Sequence, residues 1–157
     1  MALPGYTVTS GTHALAAATA ETTWNIIPTT TVGIQIVEFG ISFAGVTASA
    51  VPAEVDLCTS TQATAGTAGS SPTPLQIRGR TLAPGVTAGV AYSAEPTVLV
   101  PIKTWYVSPN GGMLVMQFPL GREMDQGFSS EAIKAIALRV TAPATVNCRS
   151  YVEFERI

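Results

Sequence analysis

Few side chains in this 157-residue chain have the chemistry of a catalyst. The single histidine, His13, could act as a general base, but it lies in an Ala- and Thr-rich stretch with no acidic residue close by in the sequence. A general base needs an orienting neighbour and a nucleophile within reach. We therefore do not expect His13 to be catalytic.

The two cysteines, Cys58 and Cys148, could in principle form a disulfide or bind a metal. They are far apart in the sequence, and each lies in a strand-like run. Their residue types favour two small, buried, reduced side chains, and a cross-strand disulfide stays open until their separation is known. A zinc site needs more Cys and His ligands than this chain groups together. The sequence predicts no metal and no other cofactor.

The carboxylates and tryptophans also carry no clear catalytic signature. Ten Asp and Glu are scattered along the chain, and although a glycosidase needs only two, no pair is singled out. The Gly-x-Ser-x-Gly, Gly-Lys-Ser/Thr and His-Glu-x-x-His motifs are absent from the sequence. Trp24 and Trp105 could stack on a sugar, but both lie in strand runs, which favours core packing. We expect the protein not to be an enzyme.

The charge content is the most informative property of the composition. Charged residues make up 11% of the chain and hydrophobic residues 46%, with a net charge of −2 and no block of like charge. This argues against a nucleic-acid partner and against disorder. No apolar run approaches the roughly 20 residues of a membrane span, and the N-terminus lacks the pattern of a secretory signal. We expect a soluble protein made in a reducing cytoplasm, with no membrane partner.

The elements that would position these residues are mainly strands. About eight short strands with Pro/Gly turns, and no long helix, predict an all-β, antiparallel β-sandwich with a jelly-roll-like topology. Residues 21–157 would form this single domain. In the run Val32 to Phe43 the apolar residues change parity, which predicts a bulge near Ile36 and Val37 or a strand buried on both faces.

Other segments give more specific expectations. The stretch Thr59 to Pro74 is low in complexity and predicts a loop. The runs Thr97 to Ser108 and Met113 to Phe118 predict a hairpin, because the intervening Asn110-Gly111 supplies positive φ at low cost. Ser129-Ser130-Glu131 could cap a short helix, before the strand-like run Ile136 to Thr141.

The first twenty residues differ from the rest. Pro4, Gly5 and the alternating Tyr6 to Thr9 favour an extended arm over residues 1–20, which could reach about 65 Å at ~3.3 Å per residue and add a strand to a neighbouring subunit. Deleting it would then weaken assembly without unfolding the domain. The alternative is that these residues form the first strand of their own domain or are frayed. The candidate inter-subunit or capsid contacts are Leu3, Pro4, Tyr6, Val8, His13 and Leu15.

The low charge also bears on assembly, because the cores of protein interfaces are depleted of charged residues. A surface of small neutral groups suits a subunit packed in a crowded symmetric assembly. It is also compatible with a Thr-rich monomeric sandwich.

Four segments carry a family resemblance. The sequence from Lys103 to Gly112, followed by Gln117 to Glu123, resembles small structural proteins encoded by tailed bacteriophages and prophages. The ending Thr141 to Glu155 is similar too, as is Leu15 to Ala20 ahead of the first strong strand. The resemblance implies a head decoration (cement) protein that forms homotrimers, binds the major capsid protein and resides on the capsid surface of the virion. It supplies no catalytic residues. A receptor-binding or carbohydrate-binding fibre domain, and a head-tail or tail component, are the alternatives.

Overall fold

The computed structural model describes residues 3–47, 51–61, 64–126 and 135–157. Within these ranges the chain forms thirteen strands. They are β1 (Gly5–Thr9), β2 (His13–Leu15), β3 (Ala20–Pro28), β4 (Ile34–Phe43), β5 (Ala53–Ser60), β6 (Thr67–Ser70), β7 (Leu75–Arg78), β8 (Val86–Ala94), β9 (Leu99–Val107), β10 (Met113–Gln117), β11 (Met124–Gln126), β12 (Ala135–Thr141) and β13 (Val146–Arg156).

The strands form two antiparallel sheets. Sheet A has the order β10-β4-β13-β1-β7, with β11 also paired to β4 and β2 to β13. Sheet B has the order β6-β8-β3-β12-β5-β9. The rings of Trp24 in sheet B and Phe39 in sheet A lie 6.1 Å apart, edge to face, so the two sheets pack face to face around one core. The predicted all-β sandwich is confirmed.

The strand pairing is nested in the manner of a jelly roll. β1 pairs with β13, β3 with β12, β4 with β10, and β5 with β9, as in one long hairpin that has been rolled up. The strand count exceeds the expected eight because five further strands extend or flank the two sheets.

Alternation and one bulge place the apolar side chains in the core. Along β13, Cys148, Val152 and Phe154 point inward on every second residue. In β4 the register with β13 shifts at Val37, because Glu38 lies opposite Glu153 whereas Ile36 lies opposite Phe154. The predicted bulge is thus confirmed, and it turns both parity sets of β4 toward the same core.

The predicted hairpin of β9 and β10 is wrong. β9 pairs with β5 in sheet B, whereas β10 pairs with β4 in sheet A. The turn does contain Gly111 at φ +67°, but it crosses between the sheets, and the Gly45 amide donates a hydrogen bond to the Pro109 carbonyl at 2.8 Å. Asn-Gly defines the local turn and does not determine which strand edges pair.

The predicted loop from Thr59 to Pro74 is wrong in part. β5 continues to Ser60, and β6 pairs with β8 inside this stretch. Its Thr, Ala, Gly and Ser side chains carry no apolar alternation that would have revealed a strand. The possible helix cap at Ser129 to Glu131 lies outside the described residues.

The N-terminal segment is part of the sandwich and not a separate arm. β1 pairs with β13 on one side and β7 on the other. The rings of Tyr6 and Phe154 stack at 5.6 Å, and Val8 and Leu15 are buried in the same core. The segment therefore forms the first strand of its own domain. β1 joins β13 to β7 within sheet A, and its apolar face is buried in the core.

Candidate interaction surface

His13 lies next to an acidic residue, Glu21, that is not close to it in the sequence. Its Nε2 lies 2.8 Å from Glu21 Oε2, and the Ala16 amide donates a hydrogen bond to Glu21 Oε1 at 2.6 Å. The turn between β2 and β3 brings the two side chains together. The Glu21 carboxylate therefore fastens this turn to His13, which is a structural role.

The two cysteines are free and buried. Cys58 lies on β5 in sheet B and Cys148 on β13 in sheet A. Burial raises the pKa of each thiol to about 12, so both stay protonated and are poor nucleophiles at neutral pH.

The tryptophans belong to one aromatic cluster in the core. Trp24 is fully buried, and Trp105 is half-buried with its ring 5.7 Å from that of Phe39. Phe39 therefore contacts both indoles. The two tryptophans do not form an exposed platform for a sugar.

A depression of about 320 Å³ lies on sheet A and is lined by residues that include Gly40, Arg149 and Tyr151. The Tyr151 hydroxyl donates a hydrogen bond to Glu38. Burial, this hydrogen bond and the nearby carboxylates raise the pKa of Tyr151 to about 12. None of the residues that line the depression is a carboxylate, so it does not offer the acid pair of a glycosidase.

In the described part of the chain, no group of three or more His, Cys, Asp and Glu side chains is placed to hold a metal ion. Nor does that part contain a helix long and apolar enough to cross a membrane.

The contact residues predicted from the N-terminal segment fall into two groups. Tyr6, Val8 and Leu15 are buried in the core, and Pro4 is buried as well. His13 is half-buried beside Glu21, and Leu3 is exposed. Only Leu3 offers an apolar side chain to another molecule while this domain stays folded.

Exposed apolar side chains are concentrated instead on strands at the sheet edges. Those on the edge strands are Val98, Val100, Ile102 and Tyr106 on or just before β9, Met113 and Val115 on β10, and Leu75 and Ile77 on β7; the others, such as Val46 and Leu120, lie outside the strands. Large exposed apolar groups that lie together mark interaction sites. We call the first four residues the β9 surface.

The β9 surface lies on the outermost strand of sheet B. Among the described residues, β9 pairs on one side only, with β5. The strand contains Pro101, and proline within a sheet is found mainly on edge strands. Tyr106 is 73% exposed, and its hydroxyl donates to Glu54 Oε2 at 3.3 Å. The β9 surface thus exposes apolar side chains to solvent.

Backbone strain at Val98 gives a second reason to regard this surface as functional. Val98 has φ +56° and is 54% exposed, although a β-branched residue rarely adopts positive φ. Two hydrogen bonds fix its neighbour Thr97 to Thr64. The Thr97 amide donates to the Thr64 carbonyl at 2.9 Å, and the Thr64 amide donates to Thr97 Oγ1 at 2.7 Å. Strained backbone clusters at functional sites, and of the three non-glycine residues with positive φ, Ala18, Ala91 and Val98, only Val98 is β-branched.

The sequence contained part of this signal. The run Thr97 to Ser108 was recognisable as a strand. Only the strand order shows that the strand lies at an edge, which leaves the side chains of the β9 surface without cover.

Compared with models of known protein families and with curated proteins, the sequence matches none.

Proposed function

We propose that the protein is a non-enzymatic structural protein of a tailed-phage virion, a decoration protein that binds the outside of the capsid and stabilises the shell. The observation that carries this proposal is the β9 surface, an exposed apolar edge with a strained residue on a charge-poor jelly roll. Such a surface suits contact with another protein. The resemblance of residues 103–123 to phage structural proteins names the kind of partner.

The proposed mechanism is thermodynamic linkage. A subunit that binds only the expanded shell stabilises that state by mass action. If the β9 surface contacts the major capsid protein and copies also contact one another, as in a homotrimer, weak contacts add through avidity. No covalent step is required.

Co-sedimentation of the purified protein with capsids of its phage, before and after expansion, tests the proposal. We expect binding to expanded capsids only. Ile102→Asp should weaken this binding at least about tenfold, which corresponds to roughly 1.4 kcal/mol. Thr87→Asp is the control, because it adds the same charge at an exposed position on β8 of the same sheet. Equal binding by the Ile102 variant and the wild type would exclude the β9 surface as the contact.

A carbohydrate-binding fibre domain is the second candidate that the sequence left open. The burial of Trp24 and the packing of Trp105 against Phe39 do not favour it. A head-tail or tail component would share the sandwich and differ in copy number.

A further inference from the structure

Among the described residues, sheet A ends in two edges that have no further strand paired to them, and both carry apolar groups. One edge is formed by β10 and β11, both paired to β4, and the opposite edge is β7, paired to β1. Met113 and Val115 are exposed on the first edge, and Leu75 and Ile77 on the second. Uncovered edge strands tend to pair with another chain.

The register places groups of opposite charge at the same level of these two edges. Asp125 lies opposite Gln35, which lies opposite Glu155. Glu155 lies opposite Gly5, and Gly5 opposite Arg78. One row across the sheet thus begins at an acidic residue on β11 and ends at a basic residue on β7.

The charges that remain unpaired at the two edges are complementary. Arg78 is already bound to Glu155 at 3.0 Å and lies 3.9 Å from Glu153. Arg80, two residues further along, is exposed and has no carboxylate within 4.0 Å among the described residues.

On the other edge, Arg122 and Glu123 directly precede β11, and their opposite formal charges cancel. Asp125 is left exposed, with no cation within 4.0 Å in the described ranges. The β7 edge is therefore locally positive, and the β10–β11 edge is locally negative.

We propose that copies of this chain associate head to tail, with the β7 edge of one copy packed against the β10–β11 edge of the next. The proposal rests on the self-association that the proposed function includes. It brings Arg80 to Asp125 and the exposed aliphatic side chains of the two edges together. An interface between two identical edges would leave both charges unmatched.

The strand directions are compatible with a closed ring. β7 and β10 run the same way, because each is separated by an odd number of antiparallel pairings from β4. Rotation about an axis along the strands preserves this direction, and a heterologous contact of this kind forms a ring when the rotation closes.

Leu3 gains a role in this interface. Gly79 directly follows β7, and a Cβ on Gly79 would lie 2.7 Å from Pro4 Cα. The backbone before β1 therefore borders the β7 edge, and the exposed Leu3 extends its apolar side chains.

Sedimentation velocity of the full chain, over a roughly hundredfold range of concentration, tests this proposal through charge reversal. The wild type should self-associate, and Arg80→Asp and Asp125→Arg should each raise the Kd of association by about tenfold. A chain with both substitutions should recover association, because it restores opposite charges across every contact. An equimolar mixture of the two single variants should recover it in part, because only contacts between unlike variants bring opposite charges together. Thr87→Asp, which adds a charge at an exposed position on β8 of sheet B, should have no effect.

Three results would overturn the head-to-tail contact. They are a wild-type chain that stays monomeric over the whole range, single variants that associate like the wild type, and a double variant that is no better than the singles. The same melting temperature for all variants would show that a change in association is not caused by a loss of folding. This experiment does not measure binding to particles, so its result is independent of the proposed function. A chain that stays monomeric but decorates capsids would overturn the head-to-tail contact alone. A chain that self-associates but is absent from particles would overturn the proposed function alone.

Discussion

Arg139 donates two hydrogen bonds to Asp56 in sheet B, from Nη2 at 2.7 Å and from Nε at 3.3 Å to the same oxygen, Oδ2. The other carboxylate oxygen accepts a hydrogen bond from Thr104 Oγ1 at 2.7 Å. Asp56 is only 2% exposed. One buried carboxylate thus joins β12, β5 and β9, and it ties the edge strand that carries the β9 surface to the interior of the sheet.

Replacing this carboxylate should therefore cost more stability than removing one of its neutral donors. Asp56→Asn leaves Arg139 without its charge partner and should lower the free energy of unfolding by about 2–3 kcal/mol, somewhat below the usual range for a fully buried pair because Arg139 is partly exposed. Thr104→Val removes one hydrogen bond and should cost about 1 kcal/mol. Urea denaturation measures both, and an Asp56→Asn loss no larger than that of Thr104→Val would contradict this view of the network.

The neighbouring aromatic residues Trp105 and Tyr106 should respond very differently to truncation. Trp105→Ala removes an indole that packs on Phe39, and we expect a loss of about 2–4 kcal/mol, since burial is partial. Tyr106→Ala, at a side chain that is 73% exposed, should change stability by no more than about 0.5 kcal/mol. Thermal denaturation compares them. An unchanged melting temperature in the Trp105 variant, together with loss of binding to a glycan, would instead favour the sugar-binding alternative.

The features that the sequence predicted well are those encoded by local alternation. The parity switch in β4 predicted the bulge at Val37, and the strand-like run Ile136 to Thr141 predicted β12. The crossing of the Pro109–Gly112 turn between sheets could not be predicted, because it depends on pairing partners far away in the chain. The same reason hid the uncovered β9 surface, and the His13–Glu21 pair depended on a turn whose Ala and Thr residues carry little signal.

Deletion of residues 1–20 should unfold the protein. The sequence alone favoured a dispensable arm, but the segment supplies Tyr6, Val8 and Leu15 to the core and the strand that lies between β13 and β7. Loss of three large buried side chains costs several kcal/mol, comparable to the whole stability of a domain. Circular dichroism of the truncated chain checks this, and a cooperative thermal transition like that of the intact chain would show that the segment is an arm after all.

The strain at Val98 predicts opposite effects on stability and on assembly. Asn tolerates positive φ better than a β-branched residue, so Val98→Asn should raise the free energy of unfolding by about 1 kcal/mol. It also removes an apolar side chain from the β9 surface, so binding to capsids should weaken.

Val100→Asn is the matched control for this substitution. Val100 is similarly exposed on the same surface but is not among the residues with positive φ. Its replacement should weaken binding without raising stability. Chemical denaturation together with capsid co-sedimentation separates the two variants, and a Val98 variant that is no more stable than the Val100 variant would argue against strain at this position.

Quantitative mass spectrometry of purified phage particles measures the central claim most directly. A decoration protein repeats over the lattice of the shell, so its copy number should be comparable to that of the major capsid protein. A handful of copies per particle would contradict decoration and place the protein at the neck, tail or fibre. Its absence from particles would contradict a virion role altogether.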